Sequence, residues 1–293
     1  MMENRLLKYF LVVAQEENIT KAAEILHVSQ PALSKQIMQL EEELGAKLFV
    51  RGKRSLTLTE EGRFLRSRAQ EIVDLTEKTE RDFRDGIVSY NGTVSIGMGE
   101  TATSRWLSAQ TEKFSESYPD VKFDFYSATA DSVREKIEKG LLDMGLLIEP
   151  TGDLSKYDFI RLPVRDRWGV LVSMENPLAK KDVVTRDDLL NEKLFIPFRI
   201  FPHLHEMFGI SAETAHIRGT HNLLYNVASV VQDGSAAAIT IGGAAELYDP
   251  CKLIWKPFYP EIGFQSVLIW KKYKSSSPSA AKFLEFINHS VRL

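Results

Sequence analysis

Residues 17–62 read ENITKAAEILHVSQPALSKQIMQLEEELGAKLFVRGKRSLTLTEEG, and they decide how the rest of the chain is to be understood. Two short apolar-periodic segments meet at His27-Val28-Ser29, and a basic stretch centred on Gly52 follows. In the second segment Leu33, Ile37, Leu40 and Leu44 recur at helical spacing and make one narrow apolar stripe. Ser29 reads as the N-cap of that helix, with Gln30 and Pro31 just inside it, where proline's missing N–H costs little. Pro31, Ser34, Lys35 and Met38 face away from the stripe. The exposed end is therefore polar and preorganised. Glutamine can bond adenine through two contacts, serine a base edge or a phosphate, and lysine a phosphate or guanine, so these residue types suit a helix set into a DNA major groove.

The flanking sequence extends this reading. Thr20 is expected to cap the first helix, Ala22 and Ala23 keep its side chains small where two helices cross, and its free amides suit a phosphate. After Gly45, Leu48-Phe49 leads into Val50-Arg51-Gly52-Lys53-Arg54 and then Leu56-Thr57-Leu58, an alternating two-strand pattern around a glycine turn. Such a wing places Arg51, Lys53 and Arg54 against phosphate or in a minor groove. The formal net charge is -3, which argues against indiscriminate binding of polyanions, but Lys47, Arg51, Lys53, Arg54, Arg63, Arg66 and Arg68 crowd this one section. Glu41, Glu42 and Glu43 lie at the far end of the second helix, on the side expected to turn away from phosphate. Spacing alone is also compatible with a helical bundle carrying a solvated basic loop.

The run from Ala22 to Gly62 closely resembles the N-terminal winged helix-turn-helix of LysR-type transcriptional regulators, with its A-A-x-x-L-x-x-[ST]-Q-[PS]-[AT]-[LV]-S-x-Q-I-x-x-L-E-x-x-L-G-x-x-L-F-x-R pattern and downstream L-T-x-x-G. One departure is Lys35, where the family frequently has arginine; the charge is kept but the planar fork is lost. The resemblance implies double-stranded DNA as a partner, with Thr20, Ser29, Gln30, Pro31, Ser34, Lys35, Arg51, Lys53 and Arg54 as its contacts.

From Thr59 a long helix signal runs to a stop at Gly86, with Glu60 and Glu61 favouring its N-terminal dipole end. Leu58, Gly62, Leu65, Ala69, Ile72, Thr76, Thr79 and Phe83 repeat at four-three spacing, the seam of a short coiled coil. So polar a helix is poorly stabilised alone, so a second copy is expected along Leu58, Leu65, Ala69, Ile72 and Phe83. Pairing two chains sets two DNA-reading heads on adjacent half-sites. The resemblance agrees on a dimerising linker here, and implies a homotetramer and RNA polymerase as a further partner.

Past Asn91-Gly92 strands alternate with helices. Strands are expected at 93–97, 121–126 and 144–148, with helices at 104–117 and 132–139. A second lobe brings strands at 168–173, 194–197, 215–219 and 236–241 and a helix at 221–232; a strand at 266–270 and a closing helix at 279–288 return to the first. The expected fold class is thus an all-α winged helix-turn-helix head (1–58), a linker helix (59–87), and a two-lobed α/β domain resembling periplasmic binding proteins (92–293). Lobe I takes 92–161 and 268–293, lobe II 162–267.

In such lobes ligands sit beyond the carboxyl ends of strands. Those ends carry Thr101, Thr103, Ser104, Thr129, Phe198, Arg199, Thr220, His221 and Gly242, the candidate effector contacts. Hydroxyls and amides at helix starts, with Arg199 as counter-charge, favour a small anionic metabolite. Glu100 opposes an anion if it points inward, and then marks an amine or hydroxyl instead. Each threonine or serine is equally suited to plain N-capping.

The remaining signals narrow the function class. No G-x-S-x-G elbow, Walker loop, G-x-G-x-x-G or H-E-x-x-H occurs, so no catalysis is assigned. His203 and His205 flank Leu204 without a carboxylate at ligand spacing, and no metal or other cofactor is expected. The single cysteine, Cys251, excludes an internal disulfide and the two-cysteine peroxide switch of one branch of the family. No apolar run is long enough to span a bilayer and no apolar leader opens the chain, so a cytoplasmic bacterial protein is expected, with no membrane partner. Two alternatives to an effector-controlled, sequence-specific DNA-binding regulator stay open: a solute-binding protein, and an architectural interaction protein without regulated DNA readout.

Overall fold

The computed structural model describes residues 3–51, 56–84, 91–272 and 277–292. They form two compact units, divided between Arg84 and Asp85. In the first, α1 (Asn4–Glu16), α2 (Ile19–Ile25) and α3 (Gln30–Leu44) are followed by a two-stranded antiparallel ribbon, β1 (Phe49–Arg51) and β2 (Leu56–Leu58), and by the long α4 (Glu60–Arg84). Leu6, Leu7, Phe10, Val13, Ala22, Ala23, Leu33, Ile37 and Leu40 close into one core. Leu44, the last residue of the expected stripe, is 41% exposed, because the chain turns at Gly45 before it can reach the core. The cap of α2 is Asn18, whose side chain accepts the Thr20 and Lys21 N–H groups, and not Thr20, which lies exposed in the first turn. Between α2 and α3, His27 adopts a left-handed φ of 54°, rarely taken by a residue with a side chain; the turn is held by Val28 N–H donating to the Ala23 carbonyl at 3.0 Å.

α4 does not present the expected seam as one face. Leu65, Ala69 and Val73 are buried in the head's own core with α1, and Leu58 packs against that core. The apolar residues left outward are Phe64 (67% exposed), Ile72, Leu75 and Phe83. The four-three repeat merged two faces of one helix. Gly62 shows why the helix starts so close to the ribbon: a Cβ there would stand 2.2 Å from the Leu48 carbonyl oxygen. Thr59 caps α4 through Gly62 N–H at 2.9 Å. Gly86, expected to stop it, lies outside the described residues.

The second unit is built on β3 (Thr93–Met98), α5 (Ala102–Ser117), β4 (Lys122–Ser127), α6 (Ala130–Glu138), β5 (Met144–Ile148) and the 17-residue β6 (Tyr157–Ser173). It continues through α7 (Arg186–Leu189), β7 (Lys193–Pro197), α8 (Leu204–Phe208), β8 (His216–His221), α9 (Tyr225–Gln232), β9 (Ala237–Ile241), α10 (Gly242–Ala245), β10 (Leu253–Pro257), β11 (Gly263–Lys271) and α11 (Pro278–Arg292). Strand order runs β4-β3-β5-β11-β6-β9-β7-β8, with β10 also on β6. The parallel strands β3, β4 and β5 and their helices build lobe I around Val94, Ile96, Phe114, Met144 and Phe283. Lobe II gathers around Val170, Val172, Leu194, Ile196 and Ile239.

β6 and β11 cross between the lobes. Tyr157 to Arg167 of β6 pairs with β11, whereas Trp168 to Leu171 pairs with β9. Leu162 belongs to the core of lobe I and Trp168 to that of lobe II, so the outward crossing lies several residues beyond the expected boundary at 161/162. Phe264 still packs in lobe II and Val267 in lobe I, which sets the return crossing. The crossing falls inside one continuous strand that runs through Pro163 and Gly169 without a break, so no turn marks where one core ends and the next begins. The helix expected from 221 begins only at Tyr225, and Thr220 and His221 finish β8 instead.

Candidate nucleic-acid interface and inter-lobe cleft

In the head, Ser29 Oγ accepts the Ala32 N–H and fixes the start of α3. Gln30, Pro31 and Lys35 are exposed one turn apart, and Gln30 Nε2 donates to Ser34 Oγ at 2.9 Å, so the two polar side chains hold each other in place. The arrangement presents donors and acceptors together at one helix end, the chemistry that reads a base edge. β1 and β2 supply the ribbon, in register from Phe49 opposite Leu58 to Arg51 opposite Leu56. Lys53 and Arg54, and the side chain of Arg51, lie outside the described residues.

Glu41, one of the acidic residues at the far end of α3, holds the ribbon. It is 7% exposed, its Oε1 accepts Leu48 N–H at 2.9 Å, and Lys47 Nζ lies 2.7 Å from Oε2. Burial alone would raise its carboxyl; the Lys47 ammonium and the Leu48 and Phe49 N–H groups outweigh that and hold it below the ordinary value. The only hint in the sequence is its seven-residue distance from Leu48, which no periodicity marks.

In the second unit the expected effector contacts lie at or just beyond the ends of β3, β4, β7, β8 and β9. Thr101 caps α5 by accepting the Ser104 N–H at 2.8 Å, and its hydroxyl meets Ser104 Oγ at 2.7 Å. Ser104 Oγ also donates to the Gly99 carbonyl. Thr103 is fully buried with its hydroxyl toward the Val164 carbonyl, and so faces away from the cleft, contrary to expectation. Thr129 stands at the start of α6, where Oγ1 bonds Ser132 Oγ. Phe198 is 69% exposed past β7, and its N–H donates to the His221 carbonyl at 2.7 Å. Thr220 is exposed on β8. His221 turns inward, Nε2 against the Ile239 carbonyl at 3.2 Å, and burial pushes its imidazole below the ordinary range. Gly242 is buried against Trp255 and leaves no side chain to offer.

Arg199 and one of the amides expected to favour an anion are already engaged within the protein. Arg199 Nε pairs with Asp131 at 3.1 Å, across from β7 to α6. The N–H of Leu224, just before α9, donates to Glu100 Oε2 at 2.9 Å. Arg105 of α5 pairs with Glu246, past α10.

The residue most completely missed is Asp166, on the crossing strand. It is 4% exposed, and its Oδ2 accepts Ala102 N–H at 2.8 Å while Oδ1 accepts Gly243 N–H at 3.1 Å and Arg167 N–H at 3.0 Å. The starts of α5 in lobe I and α10 in lobe II thereby share one carboxylate. A Cβ at Gly243 would stand 1.8 Å from the Ala102 nitrogen, so the approach requires glycine. Within R-D-R-W-G an aspartate reads as ordinary surface charge, and no local pattern distinguishes it.

Among the described residues no three acidic, histidine or cysteine side chains gather as a metal site, and no helix is long and apolar enough to cross a membrane. Cys251 is exposed and free.

Comparison with known proteins gives concordant results for both units. Residues 4–63 match the profile described as the bacterial regulatory helix-turn-helix protein, lysR family, and residues 89–292 match that of the LysR substrate binding domain. The uncharacterized HTH-type transcriptional regulator YvbU of Bacillus subtilis is 28% identical over 288 residues, covering 95% of each chain. The HTH-type transcriptional regulator YtlI of the same organism is 31% identical over 215 residues, 71% of this chain and 69% of its own. Among solved structures, the LysR family regulator CbnR superposes with a TM-score of 0.81 at 22% identity over 99% of both chains, and CbnR bound to its target DNA with 0.78. A head with polar groups massed at one helix start, followed by two lobes clasped around a cleft, therefore has a family: this chain belongs to the LysR-type transcriptional regulators, DNA-binding proteins controlled through an effector-binding domain and not enzymes.

Proposed function

We propose that α3 enters the major groove with Gln30, Ser34 and Lys35 toward base edges and phosphate, while Ser29, Pro31 and Thr20 border the helix starts nearest the backbone. Arg51, Lys53 and Arg54 of the ribbon contact phosphate or the minor groove. The Gln30–Ser34 hydrogen bond carries this reading, because it presets two base-reading side chains on an exposed helix end before any DNA arrives. The solved complex of CbnR with its target DNA supports it from the side of the family.

The effector is a small molecule held between the lobes, against Thr101, Ser104, Thr129, Phe198, Arg199, Thr220 and His221. A dimer forms along the outward face of α4, through Phe64, Ile72, Leu75 and Phe83, and two dimers make a tetramer that places paired heads on DNA near RNA polymerase in the cytoplasm. The linker assigned to 59–87 and the effector domain assigned to 92–293 are the parts that carry these roles.

The direct test is a footprint of the full chain on genomic fragments at fixed salt, with and without pooled metabolites. A discrete footprint with dyad symmetry that metabolites alter is the expected result. Binding without sequence preference would reduce the head to a nonspecific module, and a footprint indifferent to metabolites would favour the architectural alternative.

A further inference from the structure

The loop after β3 sends Glu100 across the cleft to the Leu224 N–H. Around it the protein supplies aromatic surface. Tyr225, the first residue of α9, is 73% exposed. Tyr248 is half-buried, and burial together with the nearby charge of Glu100 pushes its phenol up to about 12. A carboxylate offers about four acceptor positions, and among the described hydrogen bonds the Leu224 N–H uses one of those on Glu100.

Several of the cations and amides that could bind a carboxylate ligand are meanwhile engaged by the protein. Arg199 pairs with Asp131 and Arg105 with Glu246. Asp166 takes the Ala102 and Gly243 amides, and Glu100 itself takes that of Leu224. An incoming carboxylate meets like charge at Glu100 and finds these donors occupied.

We infer that Glu100, with Tyr225 next to its Leu224 partner and Tyr248 nearby, selects an effector bearing a protonated amine. The ammonium donates to the Glu100 carboxylate and lies against the tyrosine rings, where a partly desolvated cation is favoured by both the charge-assisted hydrogen bond and the ring quadrupole. Because Glu100 belongs to lobe I and Leu224 to lobe II, drawing the carboxylate toward the ligand loosens one tie between the lobes. Recognition and lobe movement then run through the same side chain. This inference rests on the reading that the cleft holds the effector.

The test follows thermal unfolding of the full chain at fixed ionic strength with matched probes, phenethylamine and cadaverine against phenylacetate and glutarate. Three variants accompany the wild type. Glu100→Gln keeps the size and an acceptor for Leu224 N–H, Tyr225→Ala lies at an exposed position that the fold does not need, and Thr129→Trp fills the cleft from the start of α6. An amine is expected to raise the melting temperature where its matched carboxylate does not. Glu100→Gln should raise the concentration needed for half the shift by about tenfold or more, Tyr225→Ala should raise it severalfold, and Thr129→Trp should abolish the shift. Stabilisation by a carboxylate that Thr129→Trp abolishes overturns the amine assignment and leaves the cleft as the site. An amine effect that survives Thr129→Trp overturns the cleft reading itself. No shift with either amine, or a shift untouched by Glu100→Gln, overturns the role of Glu100.

Discussion

The head and the effector unit place their working residues in opposite ways. In the head, Ser29, Gln30, Pro31, Ser34 and Lys35 fall within seven consecutive positions on one helix, and the surrounding core only has to hold that helix out. In the effector unit, Glu100, Asp166, Arg199, Leu224 and Gly243 come from loops, a strand and a helix start spread along the chain, and the chemistry exists only once two lobes close on each other. A reading surface for a repetitive polymer can be carried by local periodicity. A pocket that encloses a small molecule needs walls from several directions, which a single element cannot supply.

The sharpest way to break this contrast is at Asp166. Asp166→Ala strips three N–H groups of a buried acceptor, and denaturant unfolding of the full chain should show the effector unit losing about 3 kcal/mol with the head unaffected. An equal loss in both units would mean that the carboxylate is not a local tie between lobes.

Glu41 asks whether the head also depends on distant contacts. Glu41→Gln should cost the head about 1–3 kcal/mol. The sign of its pH dependence is set by a folded value below the ordinary one: the stabilisation is complete above the unfolded carboxyl value and fades as pH falls through the folded value. The variant should therefore narrow its deficit in acid, measured by unfolding between neutral pH and the region below about 4.

The next effect is on recognition. Gln30→Ala should erode discrimination between operator and mismatched sites by about 1–3 kcal/mol in competition binding, with overall folding unchanged. Uniform weakening on every sequence would show that Gln30 positions the helix and reads no base. Smallest of all, Arg51→Ala should weaken all sequences alike and lower the salt slope by about one phosphate contact.

The two units also differed in how far their residues could be read in advance. Ser29 as cap, the burial of Leu33, Ile37 and Leu40, the β1–β2 ribbon and the helix capped by Thr59 were all legible, since each depends on neighbours within a few positions. The linker was legible as a helix but not in its facing. Leu65 and Ala69 share a repeat with Ile72 and Phe83, and only the presence of α1 beside α4 separates the buried pair from the exposed one. Of the cleft, Thr101, Ser104 and Thr129 were visible as hydroxyls at helix starts. Thr103 looked the same in the sequence, yet its place between Thr101 and Ser104 on the helix turned it into the core.

The sequence by itself determined that this chain has a helix-turn-helix head with a basic ribbon, a long charged helix, and alternating strands and helices beyond. Period, capping and turn chemistry act over a few residues and need no partner to be recognised. The tertiary structure alone decided that Glu41 anchors the ribbon, that Arg199 pairs with Asp131, that Asp166 joins the two lobes and that Glu100 reaches across to lobe II. A carboxylate's role is set by which N–H groups and cations the folded chain brings within about 3 Å of it, and that distance has no counterpart along the sequence.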